Sequence, residues 1–284
     1  MRLIKQYFGI GFVAVLLAIT ALVWYAVFSE EREGLLVGFL NVGQGDAIFI
    51  QAPNGNQVLV DAGPNKAVLR ELAKLMPFYD RSIDVVVATH PDVDHIGGLP
   101  KVLESFHIDL VIEPGVGSDH PAYIEFEKMI QEKDINKVLA RRGMRVALDQ
   151  DAYLLVLFPD RDVAGLNSND ASIVAKLVYG NTSFLFTGDS PKKIEDYLIS
   201  LSPESIDADV LKIGHHGSRN STSESFVGYA SPDYAVISVG KDNHYGHPHK
   251  EVLDILENFG VQIFRTDELG TIVMESNGED IVLK

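Results

Sequence analysis

Tyr7–Phe28 is a run of 22 residues without a charged side chain, and it divides the chain into two parts that need different solvents. As a helix rising 1.5 Å per residue it would be about 33 Å long, enough to cross a hydrocarbon layer of about 30 Å. Arg2 and Lys5 precede it; Glu30, Glu31 and Glu33 follow, with Arg32 among them. The basic flank predicts a cytoplasmic tip, which puts everything after residue 30 on the far side of a membrane. A cleaved signal peptide is the competing reading. Its apolar region is usually about 7–15 residues ending in a small-x-small site, and Trp24-Tyr25-Ala26-Val27-Phe28 has none. The expectation is a single uncleaved anchor: residues 1–30 as cytoplasmic tip and transmembrane helix, 31–34 as a charged linker, 35–284 as one extracytoplasmic domain.

Within 35–284, short β-rich runs fall at Leu35–Leu40, Ala47–Ile50, Gln57–Val60, Asp84–Ala88, Tyr153–Phe158, Ser183–Thr187, Ala208–Ile213, Tyr234–Val239 and Val261–Phe264. Asn54-Gly55 between two of them is a hairpin signal. Helical patterns lie at Ala67–Leu75, Leu99–Phe106, Tyr123–Glu132, Lys192–Leu201 and Lys250–Phe259. Hairpins come first and strand–helix alternation later, so the class is α/β with helices covering sheets. Without cysteine there is no disulfide and no thiolate metal site. The net charge of −16 makes the chain a poor general binder of polyanions.

The polar residues that most need a reason sit where these strands end. Thr89-His90-Pro91-Asp92-Val93-Asp94-His95 follows Asp84–Ala88 and holds four potential metal ligands within six residues. Alternation along an extended segment can direct 90, 92 and 94 to one side. Imidazole suits Zn or Fe, while carboxylates shift preference toward harder ions such as Mn. Leu185-Phe186-Thr187-Gly188-Asp189 and Val58-Leu59-Val60-Asp61 each end an apolar run in Asp, and Gly43-Gln44-Gly45-Asp46 repeats the design. Gly214-His215-His216-Gly217-Ser218 and Asn243-His244-Tyr245-Gly246-His247-Pro248-His249 supply further imidazoles. Singly, an isolated Asp such as Asp189 reads more readily as a turn or cap residue, whereas the His90–His95 cluster already favours a metal over a capped turn. Seven of the nine histidines lie in three such loops, outside which stand His107 and His120. Convergence on one site explains that clustering better than independent caps do.

These motifs resemble the metallo-β-lactamase superfamily, whose signature is H-x-H-x-D-H, then a later Gly-Asp and a final His. More narrowly, Val42-Gly43-Gln44-Gly45-Asp46-Ala47, Asp61-Ala62-Gly63, Asn169-Asp170-Ala171-Ser172, the His-His-Gly-Ser and the Tyr-Gly-His-Pro are similar to the hydrolase domain of ComEC-type DNA-uptake proteins. The resemblance implies an αββα four-layer sandwich and two divalent metal ions, Zn or Mn. It implies His90 and Asp92 on the first ion, Asp94 and His95 on the second, Asp189 bridging, and His247 as the last ligand. Asp92 stands where the broader family has His, and no His lies between His120 and Asp189, so Asp170 is the candidate for the missing ligand. Asp46 and Asp61 are expected to orient ligands without touching metal. The metal pair would activate water for attack, with Asp94 positioning it and His215 or His216 acting on the leaving oxygen. Ser218, Asn243 and Tyr245 are expected substrate contacts, with Lys212, Arg219 and Lys241 as a basic rim.

The leading expectation is a membrane-anchored phosphodiesterase or nuclease whose substrate is a phosphodiester, single-stranded DNA among the candidates. Two alternatives stand beside it: a hydrolase of lactones, amides or thioesters on the same fold, and a non-enzymatic binding module. ComEC-type proteins carry a multi-helix channel. One apolar span supplies none, so two expectations stand: the chain works with a separate channel protein as partner, or it is a stand-alone envelope enzyme.

Overall fold

The computed structural model describes residues 2–28 and 34–284, with side chains of 9–24 only in the first stretch. The expected charged linker therefore falls outside the described residues except for Gly34. The chain begins with α1 (Arg2–Phe28) and runs through β1 (Leu35–Phe39), β2 (Ile48–Gln51), β3 (Gln57–Val60), α2 (Ala67–Leu75) and β4 (Ser82–Val87). Next come α3 (Val93–Ile96), α4 (Leu99–Ser105), β5 (His107–Glu113), α5 (Pro121–Glu132), β6 (Asn136–Leu139), β7 (Arg145–Ala147) and β8 (Ala152–Phe158). Then follow β9 (Val174–Tyr179), β10 (Thr182–Phe186), α6 (Lys192–Leu201), β11 (Val210–Lys212), α7 (Glu224–Ala230), β12 (Tyr234–Ile237) and α8 (Lys250–Asn258). The last elements are β13 (Gln262–Arg265), α9 (Thr266–Leu269), β14 (Ile272–Ser276) and β15 (Ile281–Leu283).

The strands form two sheets, ordered β15-β14-β1-β2-β3-β4-β5-β6 and β13-β12-β11-β10-β9-β8-β7. Central strands such as β1, β3 and β10 are buried at every residue, so both faces of each sheet are covered. Between the sheets, Val37, Phe39, Ile50, Val58 and Val85 of one meet Leu154, Leu177, Phe184 and Val210 of the other. Phe39 and Phe186 cross that gap edge to face, with ring centroids 6.3 Å apart. The alternate residues face outward: Leu36, Phe49, Leu59 and Val86 pack under α2, α4 and α5. Leu185, Leu211, Ala235 and Ile237 pack under α6, α7 and α8. This is an αββα sandwich, the architecture the motifs imply.

The strands β5, β6, β7, β9, β14 and β15 were not legible as β-rich runs. β6 is exposed at all four residues and β15 is short and largely exposed, so neither carries an apolar alternation. In α1 every side chain from 9 to 24 is exposed, among them Ile10, Phe12, Leu17 and Leu22. Among the described residues no helix is long and apolar enough to cross a membrane, since only these 16 positions of α1 are described in full.

Candidate metal centre

Strand direction brings the motifs together. β3, β4 and β5 run parallel, as do β10, β11 and β12, so the loops after β3, β4, β10 and β11 emerge at one end of the sandwich. There they deliver Asp61, His90, Asp189 and the His215–His216 pair. The loop between β1 and β2 adds Asp46, and Gly45 lies so close to α3 that a β-carbon would collide with the Asp94 carbonyl. His215 and His216 both adopt left-handed backbone conformations, φ 48° and 55°. Non-glycine residues there cost about 1–3 kcal/mol each, strain typical of a segment whose side-chain aim is fixed by function.

Three imidazoles are almost fully buried, and one rule orients them all. His95 Nδ1 lies 2.7 Å from Asp61 Oδ2. Thr89 Oγ1 gives its single hydrogen to the same oxygen at 2.7 Å, so it takes one from His90 Nδ1 at 3.0 Å. His216 Nδ1 donates to the Ser238 carbonyl at 2.9 Å. With every Nδ1 engaged, each ring turns Nε2 inward. The Nε2 atoms of His90, His95 and His216, and Oδ1 of Asp189, are buried without a hydrogen-bond partner. Such atoms are costly unless something binds them.

The spacings say what fits. His95 Nε2 is 3.2 Å from Asp189 Oδ1; His216 Nε2 is 3.3 Å from Asp94 Oδ2 and 3.6 Å from Asp189 Oδ2. Ligand bonds of 2.0–2.2 Å around a tetrahedral cation put donor atoms about 3.4 Å apart. His90 Nε2 is 3.6 Å from Asp92 Oδ2 and 3.9 Å from Asp189 Oδ2. Asp189 thus stands between two donor groups. The residues present fit divalent metal: Asp94, His95 and His216 on one side, His90 and Asp92 on the other, Asp189 shared.

Charges follow. Burial works to raise the Asp189 carboxyl, but His216 and His95 hold it well below the usual range. Burial pushes down His90, and His95 beside it adds to this, to about 4. For His216 burial acts downward too, yet Asp189 and Asp46 outweigh it and lift the ring to about 9. His95 is likewise raised, by Asp189 and Asp61 against burial.

Other expected residues take different places. Asp46 lies within reach of the same group of ligand atoms, with His95, Asp189 and His216. It faces the backs of the rings, however, 3.3 Å from His216 Nδ1 and 3.8 Å from His95 Nδ1. Lys212, expected on a basic rim, is instead buried and paired with Asp46. Its position in β11 explains this: Val210 faces the inter-sheet core, so Lys212 does too, and a buried ammonium needs a carboxylate. Asp170 does not join the converging atoms; Lys193 and Asn167 hold its Oδ2. The neighbouring Ser168 hydroxyl donates to Asp92 Oδ1. His247 lies beside the His215–His216 pair, its ring 5.7 Å from that of His215 and 6.5 Å from that of His216, with Nδ1 buried and without a hydrogen-bond partner. It is His216 that occupies the inner position, while His215 sits half-buried at the mouth with Nε2 3.6 Å from Asp189 Oδ2. Asn243 spends its amide on its own loop, donating to the Gly240 and His247 carbonyls and accepting from the His247 amide. Tyr245 is exposed and stacks on His247 at 5.6 Å, and Ser218 is buried with its hydroxyl accepting from the Asn220 amide.

Thr89, Ser168, Lys193 and Ser238 were missed in the sequence. Thr89 precedes a histidine at a strand end, but nothing local marks its hydroxyl as a relay. Lys212 could have been found: a charge at an inward position of a central strand signals a buried partner.

The profile of the "Metallo-beta-lactamase superfamily" matches residues 40–241. The chain belongs to that superfamily. Within it, ComE operon protein 3 of Bacillus subtilis is 32% identical over 265 residues, covering 87% of this chain and 33% of its own length. Competence protein ComA of Neisseria gonorrhoeae is 28% identical over 233 residues, covering 82% of this chain and 31% of its own. The chain therefore spans about a third of these relatives. The solved metallo-beta-lactamase fold protein YhfI from Bacillus subtilis superposes with a TM-score of 0.57 at 14% identity, over 86% of this chain and 100% of that one, which supports the shared fold.

Proposed function

We propose that this superfamily member is a membrane-anchored, extracytoplasmic, metal-dependent phosphodiesterase, with single-stranded DNA the first polymer to test. The observation that carries the hydrolase reading is the convergence of three buried, inward-facing Nε2 atoms on Asp189. A bound pair of divalent ions, Zn or Mn, would supply Lewis acidity, bringing the pKa of water from near 15.7 toward about 7 and offsetting charge on a phosphoryl oxygen. The chain's own groups do the rest. Asp94, whose carboxyl burial works to raise but His216 keeps low, stays anionic; Oδ2 would face the metal, which leaves its other oxygen to orient the attacking water. His215 touches both the centre and solvent, so it is the ring placed to pass a proton to a leaving oxygen. Beside it opens a cleft of about 430 Å³ lined by Asn167, Ser168, Asn169, Asp170 and Asn220, which offers amides and hydroxyls to a phosphate and its sugar.

The competence proteins among the relatives favour a phosphodiester over a lactone or amide. The charge of −16 favours few phosphate contacts and rapid release over tight polymer binding. Anchoring is supported by α1, 27 residues long and apolar on all its described sides. For any role in DNA uptake, the partner we propose is a separate channel protein.

The full chain in detergent, supplied with Mn or Zn, should hydrolyse bis-p-nitrophenyl phosphate and single-stranded DNA and lose both activities in EDTA. Two bound ions with neither substrate cleaved, or faster turnover of nitrocefin or a lactone, would reject the phosphodiesterase reading.

A further inference from the structure

The loop after β12 carries an aromatic ring that the core does not use. Tyr245 is 66% exposed, at the crown of a turn closed by the Gly246 amide donating to the Asn243 carbonyl at 3.5 Å. The Asn243 side chain braces this turn from inside through the Gly240 carbonyl and both backbone groups of His247. One face of the Tyr245 ring lies along His247, with centroids 5.6 Å and planes 22° apart. The ring is therefore backed and its loop fixed, while most of its surface faces water.

What lies beneath the ring connects it to the metal centre. The His247 ring is 5.7 Å from that of His215, and His215 Nε2 is 3.6 Å from Asp189 Oδ2. Tyr245 thus stands two rings out from the shared carboxylate, a distance one nucleotide covers when its phosphate sits at the centre. His215 also adjoins the polar cleft lined by Asn167, Ser168, Asn169 and Asn220. The mouth therefore offers a phosphate two unlike neighbours: amides and hydroxyls in the cleft, and a flat aromatic face on the turn. Charge decides which of them can hold a strand. At −16 the chain gains little from phosphates along a polymer. A base stacks on an aromatic ring with no net charge on either partner.

We propose that Tyr245 is a stacking platform for a nucleobase one nucleotide from the scissile phosphate, so that the site takes strands with unpaired bases in preference to base-free diesters. The assignment rests on the phosphodiesterase reading above and narrows it. A lone ring at a loop tip reaches only a base that is free of its own stack, which disfavours duplex. Every base has a π face, so the platform selects for the presence of a base and not for its identity. Because Asn243 already holds the turn, little ordering is needed when the base arrives.

The test compares a thymidine dinucleotide with the same diester lacking both bases, each supplied to the full chain in detergent with Mn or Zn. The expected kcat/KM is about tenfold higher for the dinucleotide, with the difference carried by KM. Tyr245→Phe should keep that preference. Tyr245→Leu covers His247 with an apolar side chain but presents no π face, and should bring the ratio of the two substrates close to one. Equal turnover of both by the unaltered chain, or a preference that survives Tyr245→Leu, would overturn the platform and leave the phosphodiesterase reading intact. A second readout does not depend on cleavage: a dinucleotide carrying 2-aminopurine should lose fluorescence on binding the unaltered chain with Zn, and much less on binding Tyr245→Leu. If no diester is cleaved, the phosphodiesterase reading falls, while that difference in quenching still supports a base platform; equal quenching by both chains, or none, overturns it.

Discussion

His95 and His216 are enclosed behind Asp61, Asp46 and the Ser238 carbonyl, whereas His90 shares its half of the centre with Asp92, whose side chain is 44% exposed. The enclosed half draws on loops after β1, β3, β10 and β11, with α3 supplying Asp94 and His95. The open half leans on the 167–170 loop, where Ser168 holds Asp92 and Lys193 holds Asp170. Preorganisation therefore differs across a few ångströms. One half has its donors aimed by buried partners; the other relies on Asp92, a partly exposed carboxylate held by the Ser168 hydroxyl. Two ions should accordingly bind with unequal affinity.

The largest effect tests what the halves share. Asp189→Asn removes the carboxylate between them, and activity should fall on the order of a thousandfold or more. Metal content should drop from two ions per chain toward none. If this variant keeps both ions, Asp189 does not bridge and the two-half description fails.

Protonation separates the halves next. A cation entering the enclosed half must displace protons from His95 and from His216, whose pKa is raised to about 9. Its affinity should therefore climb as pH rises from 6 toward 9, by about tenfold per pH unit for each proton released. His90, pushed down to about 4, is already neutral across that range. The open half should show little pH dependence from its histidine. Calorimetric titration at pH 6, 7.5 and 9 reads both slopes; equal slopes would erase the distinction.

Single-side variants sharpen it further. His216→Ala should lose the tighter ion and leave the weaker, whereas Asp92→Ala should lose the weaker and be rescued by excess Mn. Each should lower activity by about a hundredfold in limiting metal. Metal analysis after dialysis distinguishes them, because only Asp92→Ala should retain one tightly held ion.

How much of this was written in the sequence follows the same divide. Part of the enclosed half could be nominated because its residues end apolar strands: Asp61 after β3, Asp189 after β10, and His215-His216 after β11, the last expected to act on the leaving oxygen and not as ligands. A strand end in a layered sandwich has few places to point. The same logic made the central strands legible, since β1, β3 and β10 are buried on both faces and read as continuous apolar runs. The choice between His216 and His247 was not readable. It depends on a left-handed turn at 215–216 and on a carbonyl of β12's exit loop, both set by tertiary packing. Asp170 was misplaced for a related reason: its Lys193 partner lies 23 residues away on α6, where spacing carries no signal.

The smallest effect concerns the hydroxyl that no motif announces. Thr89→Val keeps shape and burial but removes the only atom joining His90 Nδ1 to Asp61. The imidazole would lose its fixed tautomer, and Asp61 would lose one of its two side-chain donors while keeping His95. Such a partner is worth about 10- to 100-fold in metal affinity, and here the lower end is expected because the backbone amide of residue 89 still donates to Asp61. The loss should fall on the open half alone, since His95 and His216 keep their own partners. Two-site metal titration therefore decides it. A weakened open half with an unchanged enclosed half supports separately aimed histidines, and a loss shared by both ions would show that Asp61 positions the centre as one unit.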